Sequence, residues 1–214
     1  MFVKEKMTKS PVTISKDQYV SDALDIFASH DFHRLPVVDK SNHVVGLLTE
    51  SNVAENVPSK ATSLSIHELN YLLNQTKIED VMIKNPITIS PDALLEEAAD
   101  IMVKNNAYCL PVVDKGFLVG IITQKDIFLS FIDLQGYYHS GTRLVVLIHE
   151  DKPGILKDIA TILSSKGISI THLLVERSED TSDIQVVIRV DETDSNFVVN
   201  LLKDGYNIID VRSY

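Results

Sequence analysis

The sequence predicts an α+β protein in which one small unit occurs twice and is followed by a unit of a different kind. Three observations lead to this prediction. Two stretches about 75 residues apart match in register, a helical segment lies between them, and the last third has its own order of strands and helices. A repeat of this kind means that each copy is one structural unit that buries its apolar face against the other.

The repeat is visible in three pairs of matching segments. The offset is 75 residues in the first two pairs and 74 in the third, so register is kept over about 55 residues. Chance similarity does not hold register over that length. The pairs are MTKSPVTIS at Met7 with MIKNPITIS at Met82, HRLPVVDK at His33 with YCLPVVDK at Tyr108, and GLLTESNV at Gly46 with GIITQKDI at Gly120.

Within each copy, periodicity predicts the order strand, helix, strand, strand, helix. Alternating apolar residues indicate a strand, and apolar residues three or four apart indicate a helix. The first copy is predicted to have a strand at 11–14, a helix marked by Val20, Leu24 and Phe27, strands at 35–39 and 44–48, and a helix from Thr49. The second is predicted to have a strand at 86–89, a helix at 95–103, strands at 110–113 and 117–122, and a helix from Thr123.

The two copies are expected to pack face to face as a pseudo-twofold pair. One unit alone has too little helix to cover its sheet, and a second unit supplies the missing apolar surface. Pro58-Ser59-Lys60 marks a break after the first copy. The stretch 64–74 is predicted to be a separate helix, with these residues on one face: Ile66, Leu69, Leu72 and Leu73.

The last third is predicted to have the ferredoxin-like order strand, helix, strand, strand, helix, strand. Its first helix should end at Lys166-Gly167, because a cation followed by glycine is typical of a helix end. The predicted elements are strands at 143–148, 168–176, 184–190 and 206–211, a helix carrying Ile155, Ile159, Ile162 and Leu163, a polar hairpin loop at 179–182, and a helix at 196–203 ended by Gly205.

Composition excludes several classes of protein. Hydrophobic residues make up 44% of the chain, with no apolar run of the roughly 20 residues that cross a bilayer and no signal-peptide stretch at the start, which predicts a soluble cytoplasmic protein. Cys109 is the only cysteine, so an intrachain disulfide and a cysteine-based zinc site are excluded. The net charge is −10, divided as −6 before Thr142 and −4 from it onward, which disfavours nucleic-acid binding.

The repeated motifs resemble those of a tandem CBS domain pair, a module that senses adenosine nucleotides. Pro-aliphatic-Thr-aliphatic, Leu-Pro-Val-Val-Asp and Gly-aliphatic-aliphatic-Thr-x-x-Asp (Asn in the first copy) occur in that order, twice. The resemblance covers residues 1 to about 133. It implies a first CBS motif at 1–60, a linker helix at 61–76 and a second CBS motif at 77–135.

The last third resembles an ACT domain over 142–214. The features that carry the resemblance are Asp-Lys-Pro-Gly after the first strand and Gly-Ile-Ser-Ile after the first helix. Such domains commonly bind amino acids or mediate dimer formation through side-by-side sheets, which implies an effector site at Asp151, Pro153, Gly154 and Ser169. Because Ser169 stands where the family often has Asn, dimer formation gains weight over amino-acid binding. Two CBS motifs followed by an ACT domain resemble the AcuB family of acetoin utilization proteins.

The motif Thr-x-x-Asp at Thr123 and Asp126 has two interpretations. A threonine that begins a helix caps it, and an acidic residue three places on completes a capping box. A carboxylate on the first helical turn can instead accept hydrogen bonds from both hydroxyls of a ribose, each charge-assisted. Thr49 and Asn52 occupy the same places in the first copy, where a neutral amide would hold a ribose hydroxyl less tightly. We therefore expect the cleft at Asp126 to bind the more tightly.

In CBS pairs the Asp and Thr hold the sugar and first phosphate, the Thr-aliphatic backbone reads the adenine edge, and basic side chains before Leu-Pro-Val meet the phosphates. The resemblance implies that His33 reaches across to the Asp126 cleft, while Arg34 and Lys125 serve the Asn52 cleft. The implied nucleotide-binding residues are Thr13, Ile14, His33, Arg34, Pro36, Thr49, Asn52, Thr88, Ile89, Cys109, Pro111, Thr123, Lys125 and Asp126.

Other chemistry has little support in the sequence. His30, His33 and His43 lack further clustered ligands for a metal, and Cys109 fits a buried residue or a cleft wall better than a nucleophile. P-loop, G-x-G-x-x-G and G-x-S-x-G motifs are missing from the sequence. We expect a non-enzymatic regulator, acting in acetoin or carbon metabolism, that binds AMP, ADP or ATP, has no metal or redox cofactor, and forms a homodimer. The alternative is an interaction subunit that holds a partner enzyme and has vestigial clefts.

Overall fold

The structure is a computed structural model that describes residues 1–56, 65–178 and 182–214. It divides into two compact units, Met1–Phe128 and Leu129–Tyr214. The described helices include none that is long and apolar enough to cross a membrane. The predicted break at 58–60, the start of the predicted linker helix and the predicted loop residues 179–181 lie outside the described residues.

The first unit contains both repeats, and each has the predicted series of a helix, two strands and a second helix. The elements of the first repeat are α1 (Val3–Lys6), β1 (Thr8–Lys9), β2 (Ile14–Ser15), α2 (Val20–Ser29), β3 (Arg34–Val38), β4 (Val44–Thr49) and α3 (Glu50–Asn56). Next come α4 (Ile66–Leu73), α5 (Ile78–Val81), β5 (Ile83–Lys84), α6 (Leu95–Lys104), β6 (Cys109–Asp114), β7 (Phe117–Thr123) and α7 (Gln124–Leu134).

Two short strands cross from one repeat to the sheet of the other. The sheets have the orders β2-β3-β4-β5 and β1-β7-β6, so β1 pairs with the second repeat and β5 with the first. Thr8 lies opposite Ile121 in β7, and Ile83 lies opposite Leu47 in β4. The sequence did not predict this exchange, because a strand of two residues has no readable periodicity.

The glycine that begins each matching octet is explained by this exchange. A Cβ added to Gly46 would collide with the Met82 side chain, and one added to Gly120 would collide with that of Met7. The same Cβ at Gly120 would lie 3.0 Å from the carbonyl oxygen of Thr8. Glycine therefore lets the crossing strand approach the sheet closely, which is one of the uses of glycine in strands.

The short helices cross in the same way as the short strands. Ile78 and Val81 of α5 lie in the core of the first repeat, whereas Val3 of α1 lies in the core of the second. Val3 and Ile78 are fully buried. Since complete burial of such side chains stabilises by about 1.5–3 kcal/mol each, the crossing helices bind the two repeats together.

The predicted first strand of each repeat is shorter than expected. At 11–14 only Ile14 and Ser15 pair, parallel to β3, and at 86–89 a single parallel bridge joins Ile89 to Val112. Ser10 and Asn85, which precede the prolines, have φ of 46° and 51°, and this left-handed conformation interrupts the extended chain before each repeat's strand. Pro itself cannot donate a ladder hydrogen bond.

The second unit has the predicted ferredoxin-like arrangement. Its four strands form an antiparallel sheet in which the fourth strand of the unit lies beside the first, the first beside the third, and the third beside the second. Both helices supply buried residues such as Ile159, Leu163 and Val198 to one core with the strands. The first helix of this unit ends at Ser164, earlier than the predicted end at Lys166-Gly167, and Gly167 has the expected left-handed conformation with φ of 75°. The elements are β8 (Thr142–Ile148), α8 (Ile155–Ser164), β9 (Ile170–Arg177), β10 (Ile184–Val190), α9 (Ser195–Leu202) and β11 (Asn207–Ser213).

Candidate functional site

The two Thr-x-x-Asx motifs form helix caps at the starts of α3 and α7. In the second repeat, Oδ2 of Asp126 accepts hydrogen bonds from the backbone N–H of Thr123 at 2.8 Å and from its hydroxyl at 2.7 Å. In the first, the hydroxyl of Thr49 donates to Oδ1 of Asn52 at 2.6 Å and accepts from the Asn52 backbone N–H at 3.1 Å. The capping interpretation is confirmed. It leaves the ribose interpretation open, because a carboxylate has about four acceptor positions.

A cavity of about 670 Å³ lies in the first unit. Both repeats line it, and the first repeat contributes its crossing strand β1 as well as the start of β3. Its volume suits a ligand of nucleotide size, since small-molecule sites commonly span about 300–1,000 Å³. Its lining residues are Thr8, Ser10, Pro11, Val12, Asp31, Phe32, His33, Arg34, Tyr108, Ile121, Thr123, Gln124 and Lys125.

Three basic side chains line this cavity in a chain that is acidic overall. Nδ1 of His33 lies 3.0 Å from Oε2 of Glu50, and the guanidinium of Arg34 lies over the Tyr108 ring at 5.4 Å from its centroid. Lys125 approaches from the first turn of α7. Arg34 and Lys125 therefore bring two positive charges to a cavity that also has aromatic surface and one acidic residue, Asp31.

The sequence assigned these basic residues to two clefts, but the structure places His33, Arg34 and Lys125 on one cavity. The reason is a contact between the two repeats at the starts of β3 and β6, made by Arg34 and Tyr108, which are not equivalent positions of the repeat. Arg34 and Tyr108 stack on each other, so the two strands begin beside a common space. Phe32, Tyr108 and Gln124 line the cavity as well. The sequence could have indicated these two rings, because Phe32 and Tyr108 lie just before the two Leu-Pro-Val strands.

Several predicted nucleotide contacts are not part of this cavity's lining. Ile14, Pro36 and Pro111 are buried within strands or strand bridges. The N–H of Ile89 donates to the Pro111 carbonyl at 3.1 Å, and its own carbonyl accepts from the Val113 N–H at 2.9 Å, so both backbone groups of Ile89 are already paired.

The remaining polar predicted contacts, Thr13, Thr49, Asn52, Thr88 and Asp126, lie outside the same lining, although some of them are close to it in sequence. Asp126 directly follows Lys125 and is bonded to Thr123, and Thr49 is the partner of Asn52. Thr13 is half-buried and follows Val12, whereas Thr88 is exposed.

Cys109 is a buried thiol, 3% exposed, that lies opposite Thr123 across β6 and β7. Burial raises its pKa to about 11, and nearby Arg34 acts weakly in the opposite direction. The thiolate is the nucleophilic form of cysteine, so this side chain is unreactive near neutral pH. It packs against Leu47 and Ile121 behind the cavity wall instead of lining the cavity.

The histidines weighed as metal ligands have separate partners. Nδ1 of His30 lies 2.9 Å from the Ile26 carbonyl oxygen, and Nδ1 of His43 lies 3.2 Å from Oδ2 of Asp39. Across the described residues there is no group of three or more His, Cys, Asp or Glu side chains that could hold a metal ion.

The predicted effector residues of the second unit are separated by the length of its sheet. Asp151 pairs with Arg177 at 2.7 Å, at the end where Ile184 lies opposite Arg177 and Ile148. The backbone N–H of Ser169 donates to Oδ1 of Asp191 at 2.8 Å, at the opposite end. Pro153 and Gly154 lie with Asp151 before α8. One copy of the chain does not bring these residues together, so a shared site would need a second copy.

The chain matches two family models. The CBS domain model matches residues 3–59 and again 78–133, and the ACT domain model matches residues 142–203.

Individual proteins show the same similarity over the first unit. An uncharacterized protein of Methanocaldococcus jannaschii is 32% identical over 155 residues, which cover 62% of this chain and 92% of that protein. An acetoin utilization protein (AcuB) structure from Vibrio cholerae matches with a TM-score of 0.53 and 28% identity, covering 64% of this chain and 95% of the other. A CBS domain pair in complex with 5′-methylthioadenosine and S-adenosyl-L-methionine matches with a TM-score of 0.50 and 30% identity, covering 61% and 95%.

Proposed function

The chain belongs to the CBS domain family and has a pair of these domains followed by an ACT domain, and from this we propose that it is a non-enzymatic regulatory protein that senses an adenine nucleotide. The observation that carries the proposal is the cavity lined by His33, Arg34 and Lys125, with both repeats contributing. A similar CBS domain pair binds 5′-methylthioadenosine and S-adenosyl-L-methionine, which have adenosine in common.

The groups around the cavity suit the three parts of a nucleotide. Phe32 and Tyr108 offer ring surface for the base, the hydroxyl of Thr123 can bond the sugar or first phosphate, and Arg34 and Lys125 can pair with phosphate oxygens. Asp126 is the residue we assign to the ribose diol. Charge-assisted hydrogen bonds contribute about 1.5–3 kcal/mol each, so a phosphorylated ligand should bind better than adenosine alone.

Binding would produce a signal through the crossing segments. Thr8 and Ser10 come from the segment that crosses to β7, Arg34 comes from the first repeat, and Lys125 comes from the second. A ligand that contacts Thr8, Arg34 and Lys125 at once favours one arrangement of the repeats, provided that it binds that arrangement better than the other. AMP, ADP and ATP differ in how many phosphate oxygens they present to these cations.

The same proposal covers the role of the ACT domain and the pathway in which the signal acts. We assign to the ACT domain the formation of a homodimer, because the predicted effector residues Asp151 and Ser169 lie at opposite ends of the sheet within one copy. The similarity to AcuB makes acetoin or carbon metabolism the pathway to test, with a partner enzyme as the protein that receives the signal.

Calorimetric melting of the full chain with millimolar AMP, ADP, ATP, S-adenosylmethionine or cyclic di-AMP tests the proposal. A ligand at 100 times its Kd stabilises by about 2.7 kcal/mol, which raises Tm by several degrees. The Lys125→Ala variant should lose most of that shift. Lys104→Ala should keep it, because Lys104 pairs with Asp100 at 2.7 Å on the surface of α6 and does not line the cavity.

An unchanged Tm with every ligand would favour the alternative, an interaction subunit with vestigial clefts. One observation supports that alternative. The side chains of Phe128, Phe131 and Leu134 on α7 are 65%, 60% and 58% exposed. Grouped apolar exposure of this kind marks protein interaction surfaces. Co-purification of a partner protein from cell extract, together with the absence of any Tm shift, would establish the alternative.

A further inference from the structure

Arg189, in the middle of the ACT sheet, is a buried cation. The residue is only 6% exposed. Across the ranges 1–56, 65–178 and 182–214, no carboxylate lies within ion-pair distance of its guanidinium, and its described contact is the ring of Tyr214, 4.6 Å from centroid to guanidinium carbon. Burial of an unpaired charge is costly, and a cation–π contact returns only about 2 kcal/mol of it.

Arg189 belongs to a row of basic side chains that crosses all four strands. In the strand register Arg212 lies opposite Arg143, Arg143 opposite Arg189, and Arg189 opposite His172. Directly opposed residues point to the same face of a sheet. This face is turned away from the helices, because the alternate residues Leu144, Val146, Ile188 and Val190 form the core with them.

Asp210 supplies negative charge at one end of this row. Asp210 pairs with Arg143 at 2.8 Å and with Arg212 at 3.3 Å. Arg189 and His172 lie on the other side of Arg143. Arg189 thus has the Asp210-paired Arg143 on one side and the imidazole of His172, which can donate a ring N–H, on the other.

Aromatic side chains cover this end of the row. The Tyr137 ring lies 6.1 Å from that of Tyr214, and the rings of His139 and His172 are 5.4 Å apart. Backbone hydrogen bonds between Gly141 and Tyr214, at 3.1 and 3.0 Å, hold the covering segment to the sheet. Tyr137 and Tyr214 are themselves 56% and 45% exposed, so their rings have solvent on one side into which they can rotate.

We propose that Arg189, flanked by His172 and covered by Tyr214, is a binding site for a small oxyanion, either a carboxylate or a phosphate. The planar guanidinium matches both in a bidentate fashion. Rotation of the Tyr214 ring exchanges the cation–π contact for the ion pair. The site is separate from the nucleotide cavity, which lies in the other compact unit. It is also separate from the recess beside Ser169, which is lined by Ala160 and Ser164 of α8 on the helix side.

Titration of the ¹⁵N-labelled full chain with sodium phosphate, sodium acetate and sodium chloride, followed at the side-chain Nε–H signal of Arg189, tests the proposal. The expected result is a saturable shift at low millimolar phosphate or acetate and only a weak, linear change with chloride. Saturation by phosphate alone assigns the site to phosphoryl groups, and saturation by acetate alone assigns it to carboxylates. A linear response to all three salts would overturn the proposal.

Two variants separate this site from general charge effects. Arg189→Gln should weaken anion binding at least tenfold, read from the His172 ring signals, whereas Arg212→Gln, which removes an exposed cation of the same row, should change it less than threefold. Equal losses would contradict the proposal. If Arg189→Gln does not fold, Tyr214→Ala decides: removal of the competing ring should tighten phosphate or acetate binding severalfold, and unchanged or weaker binding would refute the role of Arg189.

Discussion

Replacement of Gly120 by alanine tests whether the crossing strand must approach β7 closely. The new methyl group would collide with the Met7 side chain and lie 3.0 Å from the Thr8 carbonyl oxygen. The side chain can move, but the carbonyl belongs to the paired strand β1, so that strand has to shift. Overpacking of this kind costs about 1–3 kcal/mol. We therefore expect Gly120→Ala to lower the unfolding free energy of the first unit by that amount.

Urea denaturation followed by circular dichroism measures this loss, and three further measurements make it specific. Gly205→Ala is the matched control, because a Cβ at Gly205 has no neighbour within 4 Å. The double variant Met7→Ala/Gly120→Ala should recover the part of the lost stability that comes from the collision with the Met7 side chain. A double-mutant cycle quantifies that part. Nucleotide affinity should fall as well, because Thr8 lines the cavity. If Gly120→Ala is as harmless as Gly205→Ala, the exchange of strands between repeats is not the reason for the glycine.

Three further predictions concern the cavity and its wall. Asp126→Ala should weaken AMP and ATP binding by tenfold or more in isothermal titration calorimetry, and Asn52→Ala by less than threefold; equal losses would contradict the ranking of the two motifs. Arg34→Gln should weaken ATP more than AMP, because it removes a phosphate partner and leaves the base contacts; an equal effect on both would place Arg34 elsewhere. Cys109 should react slowly with iodoacetamide at pH 8 until urea unfolds the chain. Because burial raises its pKa from 9.0 to about 11, its contribution to stability is complete below pH 9 and is lost as pH rises through 11; fast native labelling would refute the burial.

The sequence predicted the elements that have a clear period and missed those that are too short to have one. Strand β10 matches its predicted bounds, 184–190, and helix α6 extends one residue beyond its predicted end, to Lys104. A helix of 10 residues such as α6 repeats its apolar spacing often enough to define one buried face. The two-residue strands β1 and β5 define none, so their pairing with the opposite repeat depends on tertiary contacts at Gly46 and Gly120.

The same distinction applies to the site. The residue types were predictable, because a basic residue before a buried strand and a polar residue on a first helical turn are visible in the chain, as at Arg34 and Lys125. Which groups share a cavity was not predictable. It depends on how the starts of β3 and β6 meet, and the contact of Arg34 with the Tyr108 ring brings together what the sequence had assigned to separate clefts.

Under the proposed function, this arrangement makes ligand binding depend on the relative position of the two repeats. Thr8 reaches the wall only while β1 pairs with β7, and Arg34 and Lys125 approach from different repeats. A nucleotide held by all three loses a contact whenever the repeats move apart. Loss of one charge-assisted contact, about 1.5–3 kcal/mol, makes the ligand's affinity for the two arrangements differ by tenfold or more. That difference in affinity is what a ligand needs to shift a conformational equilibrium, and a cavity confined to one repeat would not provide it.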